Sequence, residues 1–267
     1  MGDETNCSGC RKLFENYTLM VEKTFKVIVE SGQAAEAVQV ELFVELGDAV
    51  SKLGVQGKCP TLVLVGGASQ ISEEDFARLQ ELFVEVLAPL AEKLGATVVD
   101  GGTDAGIMRL MGQARARTGG NFPLIGVAAI GTVCVPEVAR SKSEGTKLEP
   151  NHTHFILVPG SRWGDESPWL AGSARFFANG APSVTLVING GEITWLDVSQ
   201  SVEEKRATVV LAGSGRTADK LAAALRGEPT DERAENILKS GLLQAIDMRH
   251  DTKAIAELLE KMLSPQS

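Results

Sequence analysis

From residue 61 onward, short β-branched apolar runs alternate with stretches in which apolar residues recur at helical spacing. Thr61–Val65 (TLVLV) is almost continuously apolar, as expected of a strand buried on both faces. It runs into Gly66-Gly67-Ala68-Ser69. Ser72, with Asp75 three residues on, has the form of a capping box and predicts a helix start. Phe76, Leu79, Leu82, Phe83, Val86, Leu87 and Leu90 form one stripe along that helix, and Gly95 closes it. Ala96–Val99 predicts the next strand, leading directly into Gly101-Gly102-Thr103-Asp104-Ala105-Gly106. Ile107–Ala116 then reads as a helix and Leu124–Ile130 as a strand ending at Gly131.

The second half repeats the pattern. Strands are expected at Phe155–Val158, Ser183–Ile188 and Ala207–Leu211, and helices at Leu170–Phe177, Thr194–Arg206 and Thr217–Arg226. Repeated strand–glycine–helix alternation argues an α/β fold with a doubly wound, mostly parallel sheet and helices on both faces. Ligands in such sheets sit beyond the carboxyl ends of the strands, where the strand order reverses, and the glycine pairs fall at those ends. In the amino-terminal flank, Thr24–Glu30 and Gln39–Glu45 fit strands. Leu46, Val50 and Leu53 follow helical spacing, although Gly47 counts against a helix. Asp231–Gln244 and Thr252–Leu263 read as two amphipathic terminal helices. The expected division is a tail over 1–15, an addition packed on the core over 16–59, a core over 60–227 and terminal helices over 228–267.

Glycine, at 28 of 267 residues, exceeds the usual frequency of about 7% and gathers at strand ends instead of in a linker. The net charge of −9 and an aromatic content of 5% speak against a nucleic-acid surface, so no DNA partner is expected. No apolar run approaches the roughly 18 residues of a membrane span, and Met1–Arg11 lacks a signal-peptide core. Four cysteines do not make a disulfide framework at this length. A cytoplasmic protein without a membrane partner is the expectation.

Two glycine loops carry the chemistry. A helix beginning just after Gly101-Gly102-Thr103-Asp104-Ala105-Gly106 points free N–H groups and a positive dipole end above the strand, a field that suits phosphate. The loop is neither the GxGxxG fingerprint nor a P-loop, and a tight turn with no ligand is the alternative. In Gly213-Ser214-Gly215-Arg216-Thr217-Ala218-Asp219, the glycines permit close backbone approach and Ser214 offers a hydroxyl. Arg216 supplies a fork matched to phosphate oxygens, and Asp219 can take a ribose hydroxyl or cap N–H groups. A plain surface turn with an Arg–Asp pair would explain the same residues.

Four stretches together resemble the Smf/DprA–LOG (SLOG) superfamily, and more closely its LSDAT branch. These are Val65–Ala68, Gly101–Met108, Pro150-Asn151-His152-Thr153-His154-Phe155-Ile156-Leu157-Val158, and Ala212–Asp219, with Ile188-Asn189-Gly190-Gly191 in the matching order. That branch comprises the amino-terminal cytosolic domain of melastatin-type transient receptor potential channels and stand-alone prokaryotic relatives. The similarity covers Pro60 to Gly227. It implies a Rossmann-like fold that binds an ADP-ribose-like or other NAD-derived nucleotide, with no further cofactor required. The site residues it implies are Gly66, Gly67, Ser69, Gly101, Gly102, Thr103, Asp104, Gly131, His154, Gly213, Ser214, Gly215, Arg216 and Asp219.

Some SLOG relatives are phosphoribohydrolases that cleave the base from a nucleoside monophosphate, and others only bind. The enzymes carry PGGxGTxxE with a catalytic Glu. Here Leu211–Asp219 lacks the Pro and one Gly, and places Arg216 at the Thr and Asp219 at the Glu. Shortening a carboxylate by one methylene moves it about 1 Å, which can cost on the order of 100-fold in rate. The expectation is therefore a sensor, acting through a separate effector or through its own homo-oligomer. The alternative is an N-glycosidase using Asp219, Asp104 or Glu166.

His152 and His154 share a strand face but have no nearby third ligand, so no metal is expected. Cys7 and Cys10 form a CxxC whose role is open among a redox pair, a zinc half-site and a neutral tail. Lys142–Lys147 and Ser161–Ser167 are either lids or plain loops. Arg162, Trp163 and Trp169 are further contact candidates, and Arg175 faces either a phosphate or solvent.

Overall fold

The computed structural model describes residues 24–29, 33–67, 69–138 and 140–265. Cys7 and Cys10 lie outside the described residues. The strands are β1 (Phe25–Ile28), β2 (Ala34–Gln39), β3 (Thr61–Gly66), β4 (Thr97–Asp100), β5 (Leu124–Ala129), β6 (Val133–Cys134), β7 (Thr146–Lys147), β8 (His154–Val158), β9 (Ser183–Ile188), β10 (Ala207–Ala212) and β11 (Leu243–Asp247). Among the described residues, nine of them form one sheet in the order β1-β2-β8-β5-β4-β3-β9-β10-β11. β1 pairs antiparallel with β2, and every other pairing in that sheet is parallel. The fold is thus a doubly wound α/β sheet.

Period-two alternation puts successive strand residues into separate cores. Leu62, Leu64, Val98, Leu124, Leu186 and Leu211 meet the Gly106–Thr118 and Thr252–Leu263 helices and the run from Glu73 to Leu94. Val63, Val65, Val99, Ile125, Ile156, Val187 and Val210 meet the Leu46–Lys52, Ser167–Ala178, Glu192–Glu203 and Arg216–Leu225 helices on the other face. Near the β1 edge a third cluster, including Val27, Ala37, Phe155 and Leu157, is covered by Val133, Val135, Val138 and Leu148.

The expected capping at Ser72 is present, its side chain accepting from the Asp75 N–H at 3.1 Å. The Glu73–Leu82 helix continues through a π-helical turn at Phe83–Leu87 into Ala88–Leu94, and Gly95 ends it in the left-handed conformation. Gly47 does sit inside a helix. A Cβ there would come within 2.7 Å of the Phe176 ring, so helix packing requires glycine where helix propensity disfavours it.

Two expectations are corrected. The second amino-terminal strand is Ala34–Gln39, not Gln39–Glu45, and Phe43–Glu45 is a 3-10 turn. Leu42, Phe43 and Val44 are exposed, whereas Ala35, Ala37 and Val38 are buried where β2 pairs with β1 and β8; the neighbours, not β-propensity, select the strand. At the carboxyl end, the helix expected over Asp231–Gln244 spans Glu232–Leu238, Gly241 turns with φ +68°, and Leu243–Asp247 joins the sheet beside β10. The segment 228–267 therefore adds a strand to the sheet as well as helices. No helix among the described residues is long and apolar enough to cross a membrane.

From β3 the chain winds through β4, β5 and β8 in one direction, and through β9, β10 and β11 in the other. The reversal lies between β3 and β9, which opens a crevice beyond their carboxyl ends.

Candidate functional site

A cavity of about 280 Å³ occupies that crevice. Gly66, Gly67 and Ser69 reach it from β3, Gly101 and Thr103 from β4, and Arg216 from β10. Gly191 through Thr194 add the first turn of the Glu192–Glu203 helix, whose N–H groups have no partner within the helix. Gly66 has φ +134°, and a Cβ on it would collide with the Ile188 carbonyl, so only glycine lets β3 and β9 end side by side.

Asn189, fully buried at the end of β9, joins three loops. Its Nδ2 donates to the Ser214 carbonyl at 2.8 Å and to the Ser69 carbonyl at 3.1 Å, and its Oδ1 accepts from the Gly190 N–H at 2.6 Å. Its own N–H donates to the Ser214 hydroxyl at 2.8 Å, which in turn donates to the Leu211 carbonyl at 2.6 Å. Arg216 has a left-handed φ of +50°, and its Nη1 donates to the Ser69 hydroxyl at 2.8 Å across the cavity mouth.

The lining also includes three acids, Glu166, Glu192 and Asp197, of which Glu192 is paired with Arg233 at 2.6 Å. Glu166 and Asp197 line the cavity together with Trp163, whose ring is half exposed. Ser167 donates to Asp197 Oδ1 at 2.6 Å, and the Gly164 N–H donates to Glu166 Oε2 at 3.0 Å. Burial pushes the Asp197 carboxyl up to about 7; the Ser167 bond opposes this, and the Glu166 charge reinforces it. Burial likewise raises Glu166.

Beneath the β4 loop lies a buried triad. His152 Nε2 is 2.8 Å from Asp100 Oδ1, and its Nδ1 is 2.8 Å from Glu149 Oε2. Burial opposes protonation of His152, but the two carboxylates outweigh it and lift the imidazole to about 9. Asp100 Oδ1 also accepts from the Gly102 N–H at 2.7 Å, so the triad holds the loop that presents Gly101 and Thr103. Asp100 and Glu149 escape sequence reasoning because they lie far from each other in the chain. The available signal was Asp100, a single acid ending an otherwise apolar strand.

Several expected site residues lie elsewhere. Gly102 packs on Gly126, and Asp104 pairs with Arg109 at 2.7 Å. The Gly131 N–H donates to the Gly160 carbonyl at 2.9 Å. Ser214 is wholly internal, and Gly213 and Gly215 hold the turn at φ +83° and +102°. Asp219 accepts from the Gly213 N–H at 2.6 Å and does not line the cavity. His154 begins β8, so parallel pairing puts it at the edge of the sheet away from the cavity, bonded to the Thr153 hydroxyl at 2.8 Å.

Of the polar loops, Ser161–Ser167 contributes Trp163 and Glu166, whereas Thr146–Lys147 pairs with β6 away from the cavity. Arg162 and Trp169 do not line the cavity; Trp169 packs on Phe43, and Arg175 is tied to Glu204 at 3.2 Å. Among the described residues no group of three or more His, Cys, Asp or Glu is placed to hold a metal ion.

The profile of the family described as SLOG in TRPM, prokaryote, matches residues 59–256. The chain belongs to this family. Among curated proteins, it is 25% identical over 240 residues to transient receptor potential cation channel subfamily M member-like 2 of Nematostella vectensis, covering 75% of the chain and 15% of the relative. It is 28% identical over 200 residues to subfamily M member 2 of Mus musculus, covering 61% of the chain and 13% of the channel. The chain thus spans less than a sixth of the length of either relative. Among solved structures, the X-ray structure of TM1055, a structural-genomics target, superposes with a TM-score of 0.50 at 19% identity, covering 75% of this chain and 98% of that one. At that identity the match speaks for the fold alone. This SLOG chain combines a Rossmann-like sheet with its cavity at the reversal of strand order.

Proposed function

We propose that this SLOG protein binds a nucleotide-derived ligand of the ADP-ribose type in the cavity between β3 and β9, and binds it without turnover. One observation carries the reading: Arg216, the Gly66-Gly67 backbone and the first turn of the Glu192–Glu203 helix converge on one cavity at the switch point. A guanidinium, close backbone and a helix amino end are the elements that receive phosphate. Binding without turnover is supported by Asp219. It stands where the hydrolases of the superfamily carry their catalytic Glu, and its carboxylate is engaged by the Gly213 N–H instead of facing the cavity.

A second reading, N-glycosidase activity, draws on Glu166 and Asp197, two of the three carboxyls that line the cavity; the third, Glu192, is paired with Arg233. The deciding experiment incubates the protein with ADP-ribose, cyclic ADP-ribose, NAD and AMP, following thermal stabilisation and base release in the same samples. Ligand at 100 times its dissociation constant adds about 2.7 kcal/mol, a visible shift in melting temperature. A shift without released base, abolished by Arg216→Ala, supports the binding protein. Release of adenine or nicotinamide replaces it with the glycosidase.

A further inference from the structure

The cavity lining carries both signs of charge. Arg216, glycine backbone and a helix amino terminus contribute to it, and so do three acids, of which Glu192 is paired with Arg233 at 2.6 Å while Glu166 and Asp197 are held by the Gly164 N–H and the Ser167 hydroxyl. The volume of about 280 Å³ is at or below the small end of the roughly 300–1,000 Å³ typical of ligand pockets. It suits one sugar phosphate better than a whole dinucleotide.

We propose that Glu166 and Asp197 are the specificity-determining pair of this cavity. They accept the 2′,3′-hydroxyls of a ribose 5-phosphate unit whose phosphate sits at Arg216, and they reject ligands that place an anion there. This inference rests on the nucleotide reading above and names the part of the ligand the cavity encloses. Glu166 Oε2 accepts from the Gly164 N–H and Asp197 Oδ1 from the Ser167 hydroxyl, so both carboxyls are oriented from one short segment against the cavity. Vicinal hydroxyls each donate one proton, matching two acceptors on one wall. The remainder of the ligand, a base or a second nucleotide half, extends past Trp163 at the mouth, whose half-exposed ring offers a stacking face.

The test is calorimetric titration of the full chain with ADP-ribose, AMP, 2′-deoxy-AMP and adenosine 2′,5′-bisphosphate. Hydrogen bonds to charged groups contribute about 1.5–3 kcal/mol, so AMP should bind the wild type roughly tenfold or more tighter than 2′-deoxy-AMP. The bisphosphate should bind more weakly still. In Asp197→Ala the preference for AMP over the deoxy compound should collapse toward unity. Should that variant fail to fold, the isosteric Glu166→Gln and Asp197→Asn double variant should admit the bisphosphate. Equal binding of AMP and 2′-deoxy-AMP by the wild type, or a preference untouched by these variants, overturns the inference while leaving the nucleotide reading intact. No binding of ADP-ribose or AMP overturns both.

Discussion

Asn189 donates its side-chain amide to the Ser214 carbonyl at 2.8 Å, while the Ser214 hydroxyl accepts the Asn189 backbone N–H at 2.8 Å. These two bonds, with Asn189 donating in both, fasten the β9 and β10 loops, and the same amide reaches the Ser69 carbonyl after β3. The three loops that meet around Arg216 therefore depend on one buried side chain. The Ser214 hydroxyl, which the sequence offers as a ligand contact, is internal scaffolding.

Ser214→Ala is accordingly a stability variant first. It strands the buried Asn189 N–H, and leaving such a group unsatisfied costs about 1–3 kcal/mol. Urea denaturation should show a lower midpoint at unchanged slope. If Ser214 instead contacted ligand alone, the variant would keep the wild-type midpoint and lose only affinity.

Arg216 and Asp219 lie one turn apart but are expected to behave differently. Arg216 is exposed at the cavity mouth, so Arg216→Ala should leave stability within about 0.5 kcal/mol and weaken nucleotide binding tenfold or more. Asp219→Glu restores the residue type of the hydrolase motif. Its carboxylate is placed to cap Gly213, so the expected result is a modest loss of stability and no base release. Chromatographic detection of free base from the Asp219→Glu protein would show that the carboxylate does reach the ligand.

Strands β3, β4, β5, β8, β9 and β10 could be read from the sequence because each is an apolar run closely followed by glycine, and burial on both faces leaves no other pattern, whereas β11 (LQAID) lacks that signature. The glycine-and-arginine part of the cavity lining was legible for the same reason, since Gly66, Gly67, Gly101 and Arg216 sit where strands stop. The acidic part was not. Asp197 lies in the middle of a helix, three residues past Thr194, and its position on the cavity wall depends on how the Glu192–Glu203 helix packs against the Ser161–Ser167 loop. β2 was misplaced because Ala34–Gln39 has weak strand propensity, and only its partners β1 and β8 make it a strand. Gly213, Gly215 and Asp219 were read as ligand contacts, although such loops also need residues that merely shape the turn.

The Asp100–His152–Glu149 triad sets a stability limit at alkaline pH. His152 binds its proton up to about 9 in the folded chain against an ordinary value of 6.5. Between those values the native state holds the extra proton, so stability falls as pH rises. The contribution is complete below about pH 6.5 and is lost as pH passes through about 9. Melting temperature should decline over this window, and the decline should flatten in His152→Asn. A histidine ring-carbon titration by NMR provides a direct check, and a midpoint near 6.5 for His152 would refute the assignment.

Asp197 governs a lower window, and there the readout is ligand affinity. Its carboxyl is raised to about 7 from 3.8, so it is protonated in the native state where the unfolded chain is ionised, and the associated stability is lost as pH rises through about 7. It stands by Glu166 and Ser167 from the neighbouring segment, and the cavity lining also includes Glu192 on its own helix and Arg216. Deprotonation turns Asp197 into a charged acceptor for the ribose hydroxyls. Nucleotide affinity should therefore strengthen between pH 6 and pH 8, beyond the effect of the ligand's own phosphate ionisation. Asp197→Asn cannot ionise, so its affinity should follow the ligand's titration alone over the same range. Parallel pH profiles for the wild type and Asp197→Asn would place the titrating group outside the cavity and remove Asp197 from the ligand's surroundings.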